Sequence, residues 1–320
     1  MTSASSRSLR GVRVLVTGGA GVIGRELLIR LREERAEILS VDRLPLPPGD
    51  WSGVRHLQLD LASDSLGALA DFRPQIVFHL AASFERSEES PEFWATNWHD
   101  NTLASHRLLE LVRDLPEVEA LVFASSYLIY APSLYLFPSV RADVVRLKET
   151  DLVAPRNICG AAKFYTEREL DFVDHLHPSL RTVSARIYRV YGRGSRDVIS
   201  RWLRAALAGE RIEVFSPENR FDYIFAGDVA EGLVRMAKSP EASGVVNLGS
   251  GVARSVQEVV DLLGACLPEH PLNLTHLSTQ PPFEHSCADL TRLRQATGWT
   301  PPTSLEQGTK AVAAFERGVA

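Results

Sequence analysis

The chain has 320 residues, of which 45% are apolar, 23% charged and 8% aromatic, with a net charge of −5. That is enough apolar material for a sizeable core and excludes a disordered or low-complexity architecture. The acidic balance, without any Lys/Arg-dense stripe, argues against a nucleic-acid partner, and no apolar run is long enough for a membrane span. Met1–Arg10 is Ser-rich and lacks an apolar export segment. Cys159, Cys266 and Cys287 stand far apart without metal-ligand spacing. A cytoplasmic protein with no metal is therefore expected.

In chain order, β-rich runs fall at Val12–Val16, Glu37–Asp42, His56–Leu61, Gln75–Ala81, Ala120–Ser126 and Thr182–Tyr188. Amphipathic stretches such as Glu26–Arg35 and Asn97–Arg113 lie between them. Doubly buried strands alternating with helices predict an α/β fold, a doubly wound parallel Rossmann sheet. Beyond Gly192 proline and glycine punctuation increases, and a smaller, mostly helical C-terminal substrate domain is expected. Gly244–Gly251 reads as a further strand that rejoins the first sheet. The expected division is 11–190 with 222–251 for the dinucleotide, and 191–221 with 252–316 for the substrate.

Directly after the first strand, Thr17-Gly18-Gly19-Ala20-Gly21-Val22-Ile23-Gly24 opens a helix. Gly18 permits the tight turn, Gly21 lets backbone amides approach a pyrophosphate, and Gly24 allows close helix–strand packing. Asp42 ends the second strand, where a carboxylate accepts from the adenosine ribose and repels a 2′-phosphate. The pattern specifies a dinucleotide site with NAD favoured over NADP, a preference that the adjacent Arg43 weakens. Asp60, with Leu61, is placed either at the adenine or as a helix cap.

Seven motifs in order resemble those of the extended short-chain dehydrogenase/reductases, in the nucleotide-sugar epimerase/dehydratase family. They are TGGAGVIG (17–24), HLAA (79–82), SSYLIYA (125–131), RIYRVYG (186–192), DYIFAGDVA (222–230), VNLGSG (246–251) and TGWTP (297–301). The resemblance spans Val12–Trp299. It implies NAD held by Gly18, Gly21, Val22, Ile23, Asp42, Arg43, Asp60, Leu61, Leu80, Ala81, Ala82 and Lys163. It implies a nucleotide-diphosphate sugar as substrate, and a homodimer formed through Asn97–Arg113 and Gly160–His175. The implied reaction is epimerisation, in which C4 is oxidised and the ketone is then reduced from its opposite face.

By the same resemblance, Ser126 is the hydroxyl residue that orients the reacting oxygen, and Lys163 is the lysine of the family's YGxSK. The tyrosine of that motif is Cys159 here. Three readings follow. Cys159 is itself the base, its thiol made more acidic by Lys163; or Tyr127 supplies the proton-carrying group from the neighbouring strand end; or the hydride step is lost and the chain binds without turnover. A related oxidoreductase that releases a keto-sugar is a further alternative. Leu128 stands where dehydratases of the family need a glutamate, which leaves epimerisation. Arg189 replaces the asparagine of RxxNVYG and suits a diphosphate; Arg220, displaced by one residue from its family position, is a further candidate for a substrate phosphate, although neighbouring positions on a strand face opposite sides. Leu134–Phe137 is expected over the sugar pocket, or else as a dimer or domain contact.

Overall fold

A computed structural model describes residues 8–84, 90–277 and 281–318. Seven parallel strands form the central sheet: Arg13–Thr17, Glu37–Asp42, Val54–Gln58, Ile76–His79, Ala120–Ser126, Arg181–Ile187 and Gly244–Leu248. From one edge to the other they begin at Gly244, Arg181, Ala120, Ile76, Arg13, Glu37 and Val54. The expected return of the GVVNLGSG run is thus seen, with Gly244–Leu248 pairing parallel to Arg181–Ile187.

Alternation along each strand explains the two layers of helices. Val14, Val16, Phe78, Val122 and Val183 join Leu27, Leu28 and Leu31 of helix Val22–Glu33, and Leu233 of helix Ala226–Lys238, on one face. Leu15, Leu39, Val77, Leu121 and Phe123 point to the other face. There they meet Leu108, Leu109 and Val112 of helix Ala104–Arg113, and Leu170 of helix Ile158–Leu176. Both faces are apolar because both are covered.

The expected Asn97–Arg113 helix is instead the end of a longer rod. It begins at Pro91, behind a Ser90 cap, and passes through a π-helical turn at Trp98–Leu103 before Ala104–Arg113. The turn buries three consecutive polar residues, Asp100, Asn101 and Thr102, a constraint that a regular amphipathic pattern does not encode.

The C-terminal region has its own core. Trp202 and Leu203 of helix Val198–Leu207, Val259 and Leu263 of helix Val256–Cys266, and Val312 of helix Leu305–Glu316 pack around Phe221 and Tyr223. Two details depart from the expected division. Arg220–Phe225 lies outside the main sheet, between Arg189–Tyr191 and Ala253–Ser255. Leu290, Leu293, Ala296 and Trp299 pack against the core of the main sheet, although the expected division places them in the substrate half.

Candidate active site

The chain winds outward from Arg13–Thr17 through the strands at Glu37 and Val54, then returns to pair Ile76–His79 on the other side of the first strand. In an open parallel sheet, the carboxyl ends at such a reversal form the ligand crevice. Gly18 follows the first strand there with φ +77°; a Cβ on it would stand 2.6 Å from the Ala81 nitrogen. A Cβ on Gly24 would meet the Gly18 carbonyl at 2.1 Å. Only glycine lets these backbones meet, and Gly21 caps the following helix without any side chain over its amides.

The HLAA motif braces this loop. His79 is fully buried, with Nδ1 2.7 Å from Thr17 Oγ1 and Nε2 2.8 Å from Ser105 Oγ. Burial, aided by the Lys163 charge, pushes its pKa down to about 3, so its ring is neutral and structural. Asp42 accepts from the Ala20 amide at 3.0 Å and the Leu44 amide at 3.0 Å, which fixes its carboxylate beside the loop. Asp60 accepts from the Ala62 amide at 2.8 Å and lines the pocket as well, so it caps the turn without leaving the site. Gly18, Gly21, Asp42, Arg43, Asp60, Leu61, Leu80, Ala81 and Ala82 line one pocket. Gly18, Gly21, Val22, Ile23, Leu80 and Ala82 continue into a larger cleft of about 1170 Å³.

Ser126, Tyr127, Cys159, Lys163 and Arg189 also line that cleft. Ser126 Oγ accepts from the Leu128 amide at 3.2 Å and so shapes the short helical turn that presents Tyr127. Lys163 is buried, its Nζ 4.7 Å from the centre of the Phe123 ring. Glu167, one turn further, does not neutralise it. Glu167 is held by Arg186 at 3.0 and 2.8 Å and accepts from Ser125 Oγ at 2.6 Å. Desolvation lowers the Lys163 pKa to about 8, with Cys159 acting weakly the other way. Cys159 is buried, with Sγ 3.9 Å from the Ser83 carbonyl and 4.0 Å from Asn101 Nδ2.

Tyr127 has a partner that the sequence did not suggest. Its ring stacks on Tyr188 at 5.0 Å, and its hydroxyl donates to Glu284 Oε1 at 3.1 Å. Burial raises its pKa well above the usual tyrosine range. Glu284 is 2% exposed and pairs with Arg156 at 2.6 Å and Arg189 at 3.5 Å. Arg189 also lies over the Phe221 ring at 3.6 Å, so it is both ion-paired and presented to the cleft.

Glu284 arrives by long-range strand pairing. Leu136–Phe137 runs antiparallel to Phe283–Glu284, and Val145–Leu147 runs parallel to Ser286–Ala288. The segment expected over the sugar pocket is thus a domain contact, with Tyr135 fully buried beside Tyr127. Arg220 is not brought into the cleft lining; its guanidinium donates to the Ala142 carbonyl at 3.4 Å. Strand alternation turns it away from the cleft-lining Phe221. Arg201, Arg211 and the exposed Phe215 line the cleft instead. Asp222, within DYIFAGDVA, is structural: it accepts from the amides of Ser250, Gly251 and Ala288, which pins the VNLGSG loop.

A reversal-point crevice, a glycine cradle shaped for a pyrophosphate, an acid beside that cradle at the end of the second strand and a buried lysine in the adjoining cleft together define a dinucleotide-dependent enzyme of the Rossmann type. The chain belongs to the NAD dependent epimerase/dehydratase family, whose model matches residues 14–249. It is similar to the UDP-glucose 4-epimerase of Mycolicibacterium smegmatis, 30% identical over 96% of this chain and 99% of that protein. Among solved structures it is similar to MoeE5 in complex with UDP-glucose and NAD, with a TM-score of 0.82 and 31% identity over 96% of this chain and 99% of the other. The Thermus thermophilus UDP-glucose 4-epimerase in complex with NAD gives a TM-score of 0.80 and 27% identity, over 97% of this chain and 100% of the other.

Proposed function

We propose that the chain is an NAD-dependent nucleotide-diphosphate-sugar epimerase that inverts C4. The observation that carries this reading is the unbroken run of the glycine cradle into a cleft lined by Ser126, Tyr127 and Lys163. The cradle that a Cβ would fill and the ribose-end Asp42 fit NAD, which when bound supplies the hydride chemistry. Lys163 holds the nicotinamide ribose, and Ser126 orients the sugar's C4 oxygen. Tyr127 moves the proton. As its hydroxyl already donates to Glu284, its oxygen can accept the C4 proton while its own proton passes to the Glu284 carboxylate. The reverse transfer returns a proton once the ketone presents its other face. This relay needs no tyrosine at Cys159.

At the sugar end, the buried Tyr188 hydroxyl and Arg189 Nε lack hydrogen-bond partners among the described residues. In this reading a polar group of the sugar nucleotide pairs with them, since buried polar groups are hydrogen-bonded. Arg189 and Arg211 suit a diphosphate, and exposed Phe215 offers a face to a base. In this reading residues 11–190 with 226–251 carry the dinucleotide, and 191–225 with 252–316 close over the sugar nucleotide, apart from 290–299. Exposed Trp94, Trp98, Tyr165, Phe172 and Leu176, on helices Pro91–Asn97 and Ile158–Leu176 and the π turn, form the contact of a homodimer. No helix among the described residues is long and apolar enough to cross a membrane, and Cys159, Cys266 and Cys287 form no disulfide; both suit a cytoplasmic enzyme.

Proton NMR of UDP-, dTDP-, GDP- and CDP-sugars in D2O with the protein and NAD tests the reading. A new anomeric signal without net NADH is expected. Accumulating NADH would mean an oxidoreductase instead. Cys159 at the tyrosine position favours a second reading, binding without turnover. Silence across the panel, with a sugar nucleotide protecting the fold against heat, would establish it.

A further inference from the structure

The adenosine pocket holds an ion pair that the proposed reaction does not use. Asp100, 7% exposed on the π turn, receives both arms of the Arg43 guanidinium, at 2.9 Å on Oδ1 and 2.7 Å on Oδ2. Ser83 Oγ also donates to Asp100, and His99 Nδ1 lies 2.9 Å from it. These partners hold its carboxyl below the usual range despite burial. Asp42, next to Arg43 in the chain, makes no ion pair with it and instead accepts the Ala20 and Leu44 amides. Asp60 approaches Arg43 only to 4.0 Å. Asp42, Arg43, Asp60 and Asp100 all line the pocket, three carboxylates around one guanidinium.

An arginine at this place is the group that a 2′-phosphate on the adenosine ribose would require, and its fork would match that phosphate in two bonds. Here the fork is closed on a buried carboxylate. We infer that Asp100 is a specificity-determining residue: it clamps Arg43 away from the ribose, so that Asp42 alone decides, and it keeps 2′-phosphorylated dinucleotides out. The π turn makes this possible by turning Asp100 inward beside Asn101, which bonds the Ser83 backbone at 2.7 and 2.8 Å. The inference rests on reading the pocket as the adenosine site of NAD.

The test is calorimetric titration of NADH and NADPH into protein freed of co-purified nucleotide, for the wild type, D100N, R43A and the double variant. Asn keeps the shape of Asp100 but releases the charge. D100N should raise NADPH affinity relative to NADH by about tenfold or more, and adding R43A should abolish that gain. R43A alone, on a half-exposed side chain, should change the ratio by less than about threefold, because the clamped arginine serves no phosphate. An unchanged ratio in folded D100N overturns the inference. So does a tenfold loss of NADPH binding in R43A, a result that decides the matter even if D100N fails to fold. Binding of neither dinucleotide to the wild type would instead take down the cofactor reading beneath it.

Discussion

Lys163→Met offers a test of the site's electrostatics that is independent of turnover. Met matches the length of Lys and fills irregular space, so the change removes mainly the charge. Burial lowers the Lys163 pKa from 10.5 to about 8. At about 1.4 kcal/mol per pH unit, holding that charge costs the fold about 3 kcal/mol. The sign follows from proton binding: between pH 8 and 10.5 the unfolded chain holds a proton that the folded chain has released. The cost is thus complete below pH 8 and disappears by about pH 10.5. Urea unfolding of the nucleotide-free proteins should show Lys163→Met more stable by about 3 kcal/mol at pH 7, with the gap closing as the pH rises toward 10.5. A gap of opposite sign at pH 7, or one that does not change with pH, would refute the desolvation argument. The same variant should be inactive, by the role proposed for Lys163 at the ribose.

Tyr127→Phe should lower turnover by about a hundredfold or more while Cys159→Ala changes it by less than about threefold; the reverse pattern in initial rates would make the thiol the proton carrier. Gly24→Ala should cost at least about 2 kcal/mol in thermal unfolding and weaken NAD binding, because its methyl has no room beside the Gly18 carbonyl. Glu167→Gln, which strands the buried Arg186 charge, should cost about 3–5 kcal/mol by urea midpoint. Adding Arg186→Met should recover most of that loss.

The parts legible in the sequence were those set by neighbours along the chain. The strand–glycine–helix unit at Arg13–Glu33 could be read because each glycine answers a local backbone demand, and the carboxylate of Asp42 because the strand ends there. All eleven pocket-lining residues expected from Gly18 to Ala82 do line the two connected cavities. What stayed hidden was distant pairing. Glu284 lies 157 positions from Tyr127 and reaches it through two short strand pairs, each too brief for an alternation signal. Arg220 differs, since its one-residue displacement along a strand is legible and already sets its side chain on the face opposite Phe221. Asp100 carried no signal either, because the π turn that buries it breaks the period by which a helical face is read.

The late edge of the sheet has a consequence for synthesis. The strand at Gly244–Leu248 closes the parallel sheet, and Leu293 and Trp299 cover its core. Glu284 accepts from the hydroxyl of the cleft-lining Tyr127. A nascent chain emerging in order therefore cannot finish the core of the main sheet until the segment from Gly244 to Trp299 has been made, more than two hundred residues after the glycine loop at Gly18. Contacts of such long sequence separation slow folding and leave an unpaired strand edge at Arg181–Ile187 in the meantime. A chain stopped before about residue 244 would keep the phosphate cradle yet carry that open edge, which marks it as an aggregation-prone product rather than a smaller working enzyme.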